Sequence, residues 1–157
     1  MLRISTRILG TARPLASILA ALAVMLSALH AVDASAQETI TFGAPLPLTG
    51  ALAPEALKQQ QGYDLWAETV NKAGGINVAG KKMKVKIVYV DYQSNTPRAV
   101  QAAEQLITQD KVNFLFAAFG SGAAKAASTV SEKYGVPTIA ATASSAQVYD
   151  QGYKYLF

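Results

Sequence analysis

The chain has 157 residues, 51% of them apolar, with no cysteine, one histidine and a net charge of +4. Disulfide frameworks, Cys/His zinc sites and thiol nucleophiles need cysteines that this composition does not supply, and the one histidine that could serve a nucleophile as base, His30, falls in the expected amino-terminal leader. The charge is too small for the basic patch that nucleic-acid binding requires, so no nucleic-acid partner is expected.

The amino end carries Arg3, Arg7 and Arg13, then an uncharged run over 15–29, then Ala34-Ser35-Ala36, which puts small residues at both positions a signal peptidase reads. Residues 1–36 are therefore expected to be a signal peptide cleaved after Ala36, leaving Gln37 first. The alternative is an uncleaved anchor, but the apolar run is shorter than the roughly 20 residues needed to cross a bilayer. No adjacent arginine pair is present, which favours the general secretion route. The leader holds His30, three of the 14 Lys and Arg and one of the 10 Asp and Glu, so the mature chain carries +2. Without cysteine there is no site for a lipid tether, and the expected location is the periplasm.

From Gln37, short apolar runs alternate with longer amphipathic ones, the pattern of strand and helix units feeding a parallel sheet. Residues 39–44 read as the first strand. Residues 54–73 read as its helix, with Leu57, Leu65, Trp66, Val70 and Ala73 on one stripe and Gly74-Gly75 as the stop. Residues 84–91 begin with Lys84 and Lys86 on one face and become apolar, which suggests an edge strand. Thr96-Pro97 supplies an N-cap and a first-turn proline, and Ala99, Ala103, Leu106 and Ile107 form the buried stripe of the helix that follows. Residues 112–118 are apolar on both faces, as in the centre of a covered parallel sheet. Gly120-Ser121-Gly122 leads into an alanine-rich helix with Ala126, Ala127, Val130 and Tyr134 on one side, ending at Gly135. Residues 136–141 are the fourth strand. After Thr142-Ala143-Ser144-Ser145 and one helical turn, residues 153–157 begin a fifth.

The fold class is therefore α/β, a three-layer α/β/α parallel sheet. No repeat or linker divides residues 37–157. The chain stops on an aromatic residue without a polar tail, so it is expected to be a fragment of a longer protein.

In open parallel sheets, ligands bind outside the carboxyl ends of the strands where strand order reverses. With the lysine-edged strand on one side of the first strand and the third on the other, the reversal falls between strands one and three. Its lips are then Pro47-Leu48-Thr49-Gly50, Phe119-Gly120-Ser121-Gly122 and Thr142-Ala143-Ser144-Ser145. These loops are rich in hydroxyls and small residues, and the start of a helix offers unpaired N–H groups that suit an anion. Ser121 and Gly122 open one helix and Ser144 is placed to cap another, so a carboxylate would collect donors from two loops. Singly, such residues are ordinary caps; their convergence is what points to a ligand. Phe119 either walls the mouth or packs inward, Asp91 and Tyr92 either line the rim or meet solvent, and Trp66 and Tyr89 are assigned to packing. Gly120-Ser121-Gly122 lacks the third glycine of a dinucleotide fingerprint, which would fall at Lys125, and neither a phosphate loop nor a Gly-x-Ser-x-Gly elbow is present.

Pro47-Leu48-Thr49-Gly50, Asn71-Lys72-Ala73-Gly74-Gly75-Ile76, the strand ending at Asp91, Leu106-Ile107 before Asp110-Lys111-Val112, and Tyr134-Gly135-Val136-Pro137 stand in an order and spacing that resemble the leucine/isoleucine/valine-binding protein family of ABC transporter substrate-binding proteins, over residues 40–157. The resemblance implies a type I periplasmic-binding fold of two α/β lobes joined by a hinge, of which residues 37–157 would be an incomplete amino-terminal lobe. It implies ligand contacts at Ser121, Thr142 and Ser144. The family often places an aromatic residue where this chain has Glu55, so the implied ligand is an amino acid or a related small carboxylate or amide. The implied partner is the membrane permease of an ABC transporter, with no enzymatic activity, cofactor or metal. Two other readings are a ligand-sensing receptor domain, which would need a transmembrane or signalling segment elsewhere, and a nucleotide-dependent oxidoreductase, which would carry a flavin.

Overall fold

Residues 38–157 are described by the computed structural model; the expected leader, its cleavage point after Ala36 and His30 lie outside them. The elements run β1 (Thr39–Leu46), α1 (Ala53–Lys72), β2 (Ile76–Val78), β3 (Lys81–Asp91), α2 (Thr96–Thr108), β4 (Phe114–Phe116), α3 (Ser121–Tyr134), β5 (Thr138–Ile139) and a 3-10 turn over Ala146–Val148. The strands form one sheet in the order β2-β3-β1-β4-β5. All pairings are parallel except β2 with β3, which form an antiparallel hairpin. Leu156 adds a parallel bridge to Thr138, where the fifth strand was expected.

Side chains alternate across the sheet and two helical layers cover it. On one face Phe42, Val85 and Phe116 meet Tyr63, Trp66 and Val70 of α1. On the other, Leu115 and Val88 meet Ala99, Ala103, Leu106 and Ile107 of α2 and Ala127 and Val130 of α3. The expected α2 stripe is buried throughout, and Leu106 is fully enclosed, which contributes roughly 1.5–3 kcal/mol relative to exposure. Leu106 approaches this closely because Gly43 lies beneath it: a Cβ at Gly43 would stand 2.8 Å from Leu115 Cδ2 and 3.2 Å from Leu106 Cβ.

Several expectations are corrected. β3 starts three residues earlier than expected because Lys81, Lys82 and Met83 pair with β2, a strand too short to show a period. Beyond that hairpin no described strand covers the outer edge of β3, so residues 84–91 are an edge as the lysines suggested. There Asn71 stands in for a partner strand: its Oδ1 accepts the Val85 N–H and its Nδ2 donates to the Val85 carbonyl, both at 2.8 Å. On α1 the stripe is rotated. Leu57 and Leu65 are 44% and 64% exposed, while Ala56 and Tyr63 are buried, because Tyr63 turns in to stack on Phe116 at 3.9 Å between ring centres. The cap of α2 is Asn95, in an extended conformation and accepting the Arg98 N–H, and Thr96 is already helical. β4 and β5 are shorter than expected, although ladder bonds continue from Asn113 N–H to Ala117 N–H. α3 ends at left-handed Gly135 as expected, but Tyr134 is exposed and its hydroxyl donates to Glu104.

Candidate functional site

The reversal of strand order falls between β1 and β4, so the loops leaving β1, β4 and β5 share one end of the sheet. The first of these is a rigid wall. Thr49 donates to the Asp91 carboxylate through both its N–H (3.2 Å) and its hydroxyl (2.7 Å), and the Gln93 N–H adds a third bond at 2.8 Å. The Ser94 hydroxyl donates to the Thr49 carbonyl and accepts from the Leu52 N–H. Gly50 has a φ of +85°, and a Cβ there would lie 2.7 Å from Ser94 Oγ, so both conformation and space require glycine. Partial burial pushes the Asp91 carboxyl upward, but the bonds from the Thr49 hydroxyl and the N–H groups of Gln93, Thr49 and Leu48 outweigh it and hold the group below its ordinary value. Asp91 is thus an anchor between two loops.

Tyr92 neither lines the rim nor meets solvent. It is 1% exposed, and its hydroxyl donates to the Phe119 carbonyl at 2.8 Å, tying the loop after β3 to the loop after β4. Burial, followed by the charge of Asp91, pushes this phenol up to about 12, so it remains a donor at neutral pH. Tyr89, assigned to packing, lies against the α1 layer and donates to Asp64; burial first and Asp64 second raise its pKa.

The second and third loops are joined through Ser121. Gly120 is the N-cap of α3 and Ser121 and Gly122 are its first residues, as expected. Ser121 Oγ accepts the Ser145 N–H at 3.1 Å, so the hydroxyl's own proton is directed elsewhere. Thr142 is half-buried in the loop after β5, and its hydroxyl donates to Gln59 Oε1 at 3.3 Å. Gln59 Nε2 in turn donates to the Tyr63 hydroxyl. Burial pushes Tyr63 up to about 12, against the opposing pull of the Gln59 bond, so it too stays neutral. Ser121 and Thr142 therefore sit on the adjoining loops after β4 and β5, with the Ser121 proton not used in the Ser145 bond and the Thr142 proton held by Gln59.

The other expected positions are placed differently. Ser144 is exposed beside buried Ala143, and the residue opening the 3-10 turn is Ser145, without a side-chain cap bond. Gly122 is exposed on the first turn of α3. Phe119 is half-buried and packs against the core on the α1 face, which favours the inward reading. Glu55 is exposed on the first turn of α1 and pairs with Lys58 at 3.0 Å. A depression of about 150 Å³, walled by Val90, Asp91, Arg98, Gln101, Ala102 and Gln105, touches the first wall only at Asp91 and contains none of the hydroxyls of Ser121, Thr142 and Ser144. Gln59 and Tyr63 were not singled out from sequence. The steps of four from Glu55 to Gln59 and from Gln59 to Tyr63, which put all three on one side of the helix, were the available signal, but nothing local connects Gln59 to a loop 83 residues away. Among the described residues no cluster of acidic, His or Cys side chains could hold a metal, and no helix is long and apolar enough to cross a membrane.

Residues 39–157 match the family of periplasmic binding proteins. The Leu/Ile/Val-binding protein homolog 7 of Brucella abortus is 32% identical over 136 residues, covering 87% of this chain and 33% of that protein. The branched-chain amino acid transporter substrate-binding protein LivJ of Streptococcus pneumoniae, solved in complex with isoleucine, superposes with a TM-score of 0.69 and 34% identity, covering 76% of this chain and 33% of that one. A solute-binding protein of an ABC transporter from Rhodopseudomonas palustris, solved with 3,4-dihydroxybenzoic acid, gives 0.64 and 26% identity over 75% and 31% of the two chains. The chain spans about a third of the length of the relatives it matches.

Proposed function

The chain belongs to the periplasmic binding protein family, and from that premise we propose that it is the amino-terminal lobe of an extracytoplasmic protein that captures an amino acid or related small carboxylate or amide and delivers it to the permease of an ABC transporter. One observation supports the reading: Ser121, at the N-terminus of α3, and Thr142 carry hydroxyls on the adjoining loops after β4 and β5, beside the reversal of strand order between β1 and β4. That is a donor-rich half-site suited to an anion. A half-site leaves its guest open to competing water, so capture calls for a second lobe that closes over it. The threefold greater length of the relatives supports such a lobe in the complete protein. The leader over residues 1–36, with cleavage after Ala36, would direct the protein to the periplasm.

The test is a thermal-shift screen of the full-length protein against amino acids, their amides and aromatic carboxylic acids. A true ligand at a hundred times its dissociation constant adds about 2.7 kcal/mol of stability, a shift of several degrees. The proposal fails if a folded protein shows no shift with any of these classes at millimolar concentration. Amino-terminal sequencing of exported material tests the leader, and a mature protein beginning at Met1 would remove it.

A further inference from the structure

We infer that Gln59 is a specificity-determining residue of the half-site: its side-chain carbonyl is held by Thr142 while the site is open and passes to the ligand's α-ammonium when Thr142 turns its proton to the carboxylate. The site would then take α-amino acids in preference to plain carboxylic acids. The inference rests on the reading of the three loops as the ligand's half-site.

A threonine hydroxyl has one proton, and in this chain it is given to Gln59 Oε1 at 3.3 Å. A carboxylate that takes that proton strips Gln59 of its donor. The amide cannot simply turn to compensate, because its Nε2 is committed to the Tyr63 hydroxyl and Tyr63 is fixed by burial and by stacking on Phe116. The carbonyl of half-buried Gln59 then has only water to replace that donor, and a bound ligand that displaces the water leaves the carbonyl without a partner, at a cost that approaches its desolvation. A plain acid supplies no replacement donor beside its carboxylate. In an α-amino acid the ammonium stands one carbon away from it. The hydroxyls of 3,4-dihydroxybenzoic acid, the ligand of one structural relative, lie across the ring from the carboxylate and cannot fill the same place. The acidic side chains near the lips are already engaged: Glu55 is paired with Lys58 in solvent, and Asp91 is held by Thr49 and Gln93. Gln59 is therefore the acceptor that ligand binding itself sets free.

The test uses matched pairs on the full-length protein by calorimetry: L-isoleucine against 3-methylpentanoate, and L-phenylalanine against 3-phenylpropanoate. We expect the wild type to prefer the amino acid in at least one pair by about tenfold or more. Gln59→Leu should collapse that ratio toward unity, and Gln59→Glu, which keeps the shape and adds charge, should raise it. Circular dichroism melts establish that each variant is folded. Ratios unmoved by both substitutions, or a wild type that prefers the plain acid, overturn the inference. Ser121→Ala and Thr142→Ala separate it from the reading beneath. If they weaken both members of a pair while the Gln59 variants change nothing, only the role of Gln59 falls. If they bind like wild type, the half-site reading falls and takes the inference with it; a wild type that binds none of the four probes overturns the inference alone and leaves the half-site reading to the wider screen.

Discussion

Replacing Ser121 by Ala separates a binding role from a structural one, because the hydroxyl oxygen has a visible structural task. It accepts the Ser145 N–H at 3.1 Å, and losing that bond removes about 0.5–1.5 kcal/mol of stability, a few degrees in Tm for a domain of this size. Ser121 and Ser145 are both half-buried, so water can reach the freed N–H and the cost should stay near the low end. The proton of Ser121 is the part offered to a ligand carboxylate. A hydrogen bond to a charged group is worth about 1.5–3 kcal/mol, so Ser121→Ala should weaken binding by roughly tenfold to a hundredfold. Ser145→Pro isolates the staple. Ser145 has φ −81° and ψ 128°, which proline accepts, and the change deletes the N–H while leaving the Ser121 hydroxyl in place. It should lower Tm with little loss of affinity. Calorimetric titration and thermal melts on the full-length protein measure both quantities. Wild-type affinity in Ser121→Ala, or equal affinity losses in the two variants, would show that Ser121 only ties two loops together.

Three further outcomes follow from the packing. Gly43→Ala puts a Cβ within 2.8 Å of Leu115 and 3.2 Å of Leu106, so urea unfolding should show a loss of about 1–3 kcal/mol from overpacking, and an unchanged midpoint would mean that α2 lifts off the sheet freely. Asn71→Ala removes both bonds to Val85 and should cost about 1–3 kcal/mol, taking each at its ordinary net value, with faster hydrogen exchange at the Val85 amide than at the amides of β1. Asp91 has a carboxyl held below the ordinary value of 3.8, so its contribution to stability is fully present above that value and is lost as pH falls through the lower, folded-state value. Wild type should therefore exceed Asp91→Asn in stability at neutral pH and converge with it as pH falls through the folded-state value; a gap that stays constant through the acid range would remove the carboxylate from the argument.

Patterns that depend on neighbours a few residues apart were legible in the sequence. The α2 stripe of Ala99, Ala103, Leu106 and Ile107 is buried as its spacing requires, α3 stops at Gly135, and the order of strand and helix units places the reversal between β1 and β4. Helical and strand periods are local properties, so one chain displays them directly. Tertiary structure decided what depends on distant pairs. Tyr63 faces inward and Leu65 outward on the same helix because Phe116 waits on the sheet. Asp91 became an anchor because Thr49, 42 residues earlier, donates to it twice. Gln59 entered the site because the sheet carries Thr142 to its side chain across 83 residues. A hydrogen bond depends on distance and angle to within fractions of an ångström, and no spacing along the chain encodes where two loops on different strands will meet.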